Sequence, residues 1–208
     1  LLAVLGQFNL KGRDAAETLD ILNSVSKEFN VSVDELFEGV RRAGSTFAEL
    51  SGVRAGVKPG IDALKEFAAL FTAVIDTSRE SAETIGTAFR TILPRLLRGE
   101  TRELLKRELG IDLLDDEQKF IGPFKAIEKL FTGLRRFSGT DVGLTKIIEE
   151  LGGSRQFNRV LPLILEFPKA QRALEIANQS SGSVAKDTAV AYDTLIVQLQ
   201  QLKEQFLL

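Results

Sequence analysis

Ser32-Val-Asp-Glu-Leu-Phe-Glu-Gly-Val-Arg-Arg-Ala-Gly44 carries its own start signal and its own apolar face. The Ser32 hydroxyl can accept from a free N–H of the first helical turn. Glu35, three residues on, can reach back to the Ser32 backbone N–H, which completes a capping box. Val33, Leu36, Phe37 and Val40 then recur at three- and four-residue spacing, as one face of an α-helix does, and Gly44 is expected to end it. Upstream, Ala15, Leu19, Leu22, Val25 and Phe29 make a second such face, with Asp14 and Glu17 in a similar capping arrangement. The short Asn30-Val31 link joins the two as a helical hairpin.

The same periodicity continues down the chain, and nowhere does alternation persist over a strand's length. Between Thr46 and Gly60 it loosens, with Gly52, Gly56, Pro59 and Gly60 breaking any long helix, so only a turn is expected around Phe47–Leu50. Ile61, Leu64, Ala68, Phe71 and Ile75 predict an amphipathic helix. Ile85, Phe89, Ile92 and Leu96 predict another, kinked or broken about one turn before Pro94. Ala82, Gly86 and Thr87 leave one flank of that helix small enough for a neighbour to approach closely. Thr101–Leu109 reads as a short exposed helix closed by Gly110, and Ile111–Gln118 as a loop with an apolar anchor. Further helices are expected from Pro123 to Phe137, over Leu144–Leu151, over Phe157–Leu165 (apolar nearly all round, hence buried) and from Pro168 to Ala177. Ser180–Ser183 reads as a flexible loop.

Val184–Leu208 differs in kind. Ala185, Tyr192, Leu199 and Phe206 are seven apart, Leu195 and Leu202 take the intermediate d positions, and Thr188 interrupts that row. If helical throughout, the segment is ~37 Å long at 1.5 Å per residue. Two readings stand. Tyr192, Leu195, Leu199, Leu202 and Phe206 form a coiled-coil seam for a second copy or a partner helix, or the helix packs on its own domain. The fold class is all-α: compact multi-helix bundles with a long C-terminal helix. Residues 1–100 are expected to form one helical unit, 101–180 a second, and 184–208 the extension.

Composition narrows the chemistry. Of 208 residues, 27 are Lys or Arg and 29 Asp or Glu, a net charge of −2, so the chain has no electrostatic footprint for duplex nucleic acid. His, Cys, Met and Trp are absent, which removes a Ser-His triad, a thiol nucleophile, zinc-finger ligands and disulfides. Without Met the stretch reads as an internal piece of a longer polypeptide. Its apolar runs fall far short of the ~20 residues a bilayer-spanning helix needs.

Three constellations merit a chemical test. Asp112, Asp115, Asp116 and Glu117 lack the alternate-position spacing and central glycine of a calcium loop, and read as a solvated acidic loop. Gly152-Gly153-Ser154-Arg155 precedes a helix but completes neither a Walker nor a dinucleotide fingerprint. Arg41-Arg42, Arg95 with Arg98, and Arg135-Arg136 sit late in their expected helices, where cations complement the helix dipole. No catalytic, cofactor or metal residues emerge. The expectation is a protein that performs no chemistry.

Several segments, taken in order, resemble the core region of bacteriophage tail tape measure proteins. They are Val31-Ser-Val-Asp-Glu-Leu36, Arg42-Ala-Gly-Ser-Thr-Phe47, Leu64-Lys-Glu-Phe-Ala-Ala-Leu-Phe71 and Ile85-Gly-Thr-Ala-Phe-Arg-Thr-Ile-Leu93, within Leu19–Leu97. Leu151-Gly-Gly-Ser-Arg-Gln-Phe-Asn-Arg-Val-Leu161 is similar to the region beyond that core. The Gly52–Gly60 stretch departs from the family pattern in being more broken. The resemblance implies a long helical structural protein, held in several copies inside the growing tail tube, whose length sets the tail's length. It further implies release during DNA ejection, contacts with tube, tip or hub proteins and with the host envelope, and assembly in the host cytoplasm. It supplies no catalytic residues. A non-enzymatic helical adaptor is the competing reading from sequence, and an envelope-active amphipathic protein a third.

Overall fold

In the computed structural model, residues 1–53, 58–135, 142–153 and 157–191 are described, and their regular elements are all helical. They are α1 (Leu2–Gln7), a 3-10 turn (Gly12–Asp14), α2 (Ala15–Glu28), α3 (Val33–Leu50), α4 (Gly60–Ser78) and α5 (Ala82–Ile92). A second 3-10 turn (Leu93–Leu97), α6 (Gly99–Leu109), α7 (Pro123–Leu134), α8 (Val142–Gly152), α9 (Phe157–Leu165) and α10 (Phe167–Asn178) follow. Residues 183–191 are again helical.

The capping box at Ser32 forms as its residues dictate: Glu35 N–H donates to Ser32 Oγ at 3.2 Å and Ser32 N–H donates to Glu35 Oε2 at 2.7 Å. At Asp14 the arrangement differs from expectation. Its carboxylate accepts from Lys11 N–H at 2.7 Å, so it closes the 3-10 turn one step earlier and gives α2 no side-chain cap.

α3 does not end at Gly44 but runs unbroken to Leu50. Ala43, Gly44, Phe47 and Ala48 continue the buried face set by Leu36 and Val40, and that burial outweighs the weak helix propensity of glycine. Gly44 is a packing position: a Cβ there would lie 2.3 Å from Gln7 Oε1 and 3.1 Å from the Phe8 ring. Because α3 is long, Arg41 and Arg42 lie in its middle rather than near its end.

α4 is the centre of the molecule, with α2, α3, α5, α7, α9 and α10 packed around it. Every residue from Phe67 to Ile75 is buried, so α4 is enclosed on all sides rather than amphipathic over that span. The Phe67 ring meets Phe8, Phe47, Phe71 and Phe89 at centroid distances of 6.0, 5.4, 5.5 and 6.1 Å. α9 shows the opposite deviation: Val160, Leu163 and Ile164 are buried, while Leu165 is turned to solvent. Pro162 removes an N–H from its interior.

α5 crosses α3 at close range through its small flank. A Cβ on Gly86 would lie 2.6 Å from Arg42 Cβ and 3.6 Å from Gly39 Cα, so the expected close approach is present. Pro94 converts the end of α5 into the 3-10 turn beginning at Leu93. Gly99 starts α6, although the sequence suggested a stop there. The 111–118 loop turns back on itself, with Asp115 N–H bonded to Lys119 O at 2.8 Å and Leu113 fully buried as its anchor. α10 returns to lie on α4 and α2, so the hydrophobic cluster is continuous from Val4 to Ala177.

Candidate functional site

The acidic loop uses its carboxylates to build itself. Asp112 Oδ1 accepts from Leu114 N–H at 3.0 Å, and Asp115 Oδ1 accepts from Glu117 and Lys119 N–H at 2.9 and 2.8 Å. The Leu114 N–H and then the Lys106 ammonium hold Asp112 below the usual carboxylate pKa, which suits a fixed anion and not a proton donor. Among the described residues no group of three or more His, Cys, Asp or Glu side chains is placed to hold a metal ion. Glu66 is the opposite case: burial pushes its pKa up against a hydrogen bond from Lys58. No nucleophile partners it in the described hydrogen bonds, so it remains a paired core-edge carboxylate.

Gly152 and Gly153 close a helix instead of opening one. Gly153 has φ +65° and donates to Glu149 O at 2.7 Å. The helix end exposed there consists of carbonyls. Arg95 serves them, donating from Nη1 to Glu150 O at 3.3 Å and Leu151 O at 3.4 Å. Arg95 thus complements the C-terminus of α8 and not its own helix. A phosphate would meet the wrong end of the dipole. Ser154 and Arg155 lie outside the described residues.

The other basic pairs are also committed. Arg41 and Arg42 both bind Glu38, and Arg42 additionally binds Glu83 of α5. The Arg135 guanidinium sits 5.8 Å from the Phe131 ring centroid. Arg136 falls outside the described residues.

The surface with interaction geometry is the start of the C-terminal helix. Tyr192, Leu195, Leu199, Leu202 and Phe206, the expected seam, lie outside the described residues. Residues 183–191 lead into them, and they are held to α2 by polar groups alone among the described bonds. Asp20 accepts from Gly182 N–H and Val184 N–H, both at 2.9 Å, and so caps the new helix from another element. Asn23 Nδ2 donates to Ser183 Oγ at 2.9 Å and to Asp187 Oδ2 at 2.6 Å, and Lys27 pairs with Asp187. The Lys27 contact, then the Asn23 amide, lowers the Asp187 pKa below its ordinary value. These bonds tie down Ser180–Ser183, and Ser180 is 5% exposed, so the expected flexible loop is an anchored turn.

Asp20, Asn23 and Lys27 were not singled out from sequence. The available signal is their spacing: steps of three and four place them on one stripe of α2, opposite Ile21, Leu22 and Val25. Such a stripe reads as a solvated face until a partner helix is seen on it. On the C-terminal helix, Ser183 and Asp187 share the clamped face. At ~100° per residue, Ala185 is about 180° away from it and Thr188 about 120°. Both Ala185 and Thr188 are exposed.

No described helix is long and apolar enough to cross a membrane. No solved structure matches the chain. Residues 1–153, from α1 through α8 and its closing Gly153, match the model of the family described as phage-related minor tail protein. The all-helical body, the carboxylates and guanidiniums spent on structure, and this match over most of the sequence agree, and the chain belongs to the phage-related minor tail protein family.

Proposed function

We propose that this chain is a region of a tail tape measure protein, the tail component that sets tail length during assembly, occupies the tube lumen and is released as DNA is ejected. Membership of the minor tail family and the ordered segments between Leu19 and Leu161 both support the reading. The observation that carries it is the C-terminal helix. It leaves a compact body by a polar clamp, with the first positions of its heptad pattern turned to solvent. In this reading residues 1–180 are a packing or docking module for tube, tip or hub proteins. Residues 184–208 begin a rod in which each residue adds about 1.5 Å. Tyr192, Leu195, Leu199, Leu202 and Phe206 form the seam through which copies associate.

The test is location in the virion. Purified phage carrying the parent protein is probed with an antibody against residues 1–180, with and without external protease, before and after triggered ejection. The reading expects a band protected in intact particles and lost to the supernatant or to protease after ejection. A band absent from virions, or cleaved while tails are intact, would assign the chain to an assembly adaptor or an external tail part instead.

A further inference from the structure

We propose that Asp20, Asn23 and Lys27 of α2 are a rotational clamp, which turns the Ala185 and Thr188 edge of the C-terminal helix outward to receive a second copy of this chain. The inference rests on the self-association reading above and specifies how the body takes part in it. A helix leaving a domain can usually hide its apolar edge on that domain. Here the face that touches α2 is the polar one, through Ser183 and Asp187, with the backbone N–H groups of Gly182 and Val184 fixed by Asp20. Two carboxylates on opposite partners, Asp20 from α2 and Asp187 from the helix, make the contact specific in rotation. An apolar contact of the same size would tolerate a turn of the helix about its axis; a capped end plus a bifurcated Asn23 contact does not.

The edge so exposed fits a like copy better than a charged partner. Positions flanking the a and d rows at 184, 189, 191, 196, 198 and 205 are Val, Ala, Ala, Ile, Gln and Gln, and Lys203 is the one charge in those rows. Flanking charges are what repel identical strands or select an oppositely charged one, and they are nearly absent here. An anionic membrane surface would need Lys or Arg in those rows.

The cysteine-free sequence allows a direct test on the full chain. Single variants Ala185→Cys, Thr188→Cys and Lys186→Cys are oxidised with oxidised glutathione, alone and as the 185/188 mixture, beside sedimentation velocity of the unaltered chain. We expect the unaltered chain to associate. Dimer cross-linking through 185 or 188 is expected to be about tenfold faster than through Lys186→Cys, since a disulfide needs Cβ atoms within ~4.5 Å. In the Asp20→Ala/Lys27→Ala background, checked for unchanged helical content, that preference should collapse. A chain monomeric at all concentrations would remove the self-association reading itself. Association with cross-linking as fast through 186 as through 188 would overturn the face assignment alone. A preference that survives loss of Asp20 and Lys27 would show that the clamp does not set the rotation.

Discussion

The α3–α5 crossing can be tested by adding one methyl group. In Gly86→Ala the new Cβ falls 2.6 Å from Arg42 Cβ, which is fixed to the α3 backbone and cannot swing aside. Carbon atoms in contact settle at about 3.5–4 Å, so the helices must separate by ~1 Å or tilt. Overpacking of this kind costs about 1–3 kcal/mol. Alanine in place of glycine inside a helix recovers up to ~1 kcal/mol. The net expectation is a loss of roughly 0–2 kcal/mol, and about 3 kcal/mol for Gly86→Val, whose extra methyls enter the same gap. Gly6→Ala is the comparison: it is also helical, with nothing within 4 Å of its Cβ, and should be neutral or stabilising. Urea unfolding followed by circular dichroism at 222 nm reads all three. If Gly86→Ala is stabilised by the full ~1 kcal/mol expected from helix propensity, the two helices do not cross as described.

Phe67→Ala empties the centre of the five-ring cluster in a fully buried site, so a loss of about 3–5 kcal/mol in urea unfolding is expected. A loss below ~1 kcal/mol would mean the rings do not pack as described. Thr72 Oγ1 is buried in α4 without a hydrogen-bond partner, so Thr72→Val should raise stability by about 1 kcal/mol; a drop of similar size would reveal a bond to that hydroxyl. Asp187 has a folded pKa below its ordinary 3.8, so its ion pair stabilises the clamp above that pH and is lost as pH falls through the lower folded value. Fluorescence between dyes on Glu17→Cys and Lys186→Cys should therefore be flat from pH 7 to 5 and change only in stronger acid. Asp187→Asn should shift it at neutral pH and abolish the acid transition.

Much of the helical order is legible in the residues because apolar spacing and end signals agree, as at Ser32–Glu35 and in the small flank of α5. The errors have physical causes. Gly44 reads as a stop because propensity is local, whereas its place in the helix depends on Gln7 and Phe8 arriving from far along the chain. The nine residues Phe67–Ile75 are apolar save for Thr72, a run that marks a helix enclosed on every side. The eye instead picked out one stripe of it and gave all-round burial to α9, where an interrupting proline and a turned-out Leu165 argue otherwise. The clamp was illegible for another reason. Asp20, Asn23 and Lys27 are ordinary surface residues of α2 until a segment some 160 positions later is laid beside them. Function was legible in proportion to what was missing: without His or Cys the catalytic readings fall away, and the carboxylate and arginine clusters that remain are consumed by loop building and helix capping.

The central claim is that the helical rod beginning at residue 184 measures length. Inserting four extra in-register copies of the three heptads 185–205 into the phage gene adds 84 residues, or ~126 Å at 1.5 Å per residue. Tail lengths measured by electron microscopy should increase by about that amount, in a narrow distribution. Assembled tails of unaltered length would contradict the account.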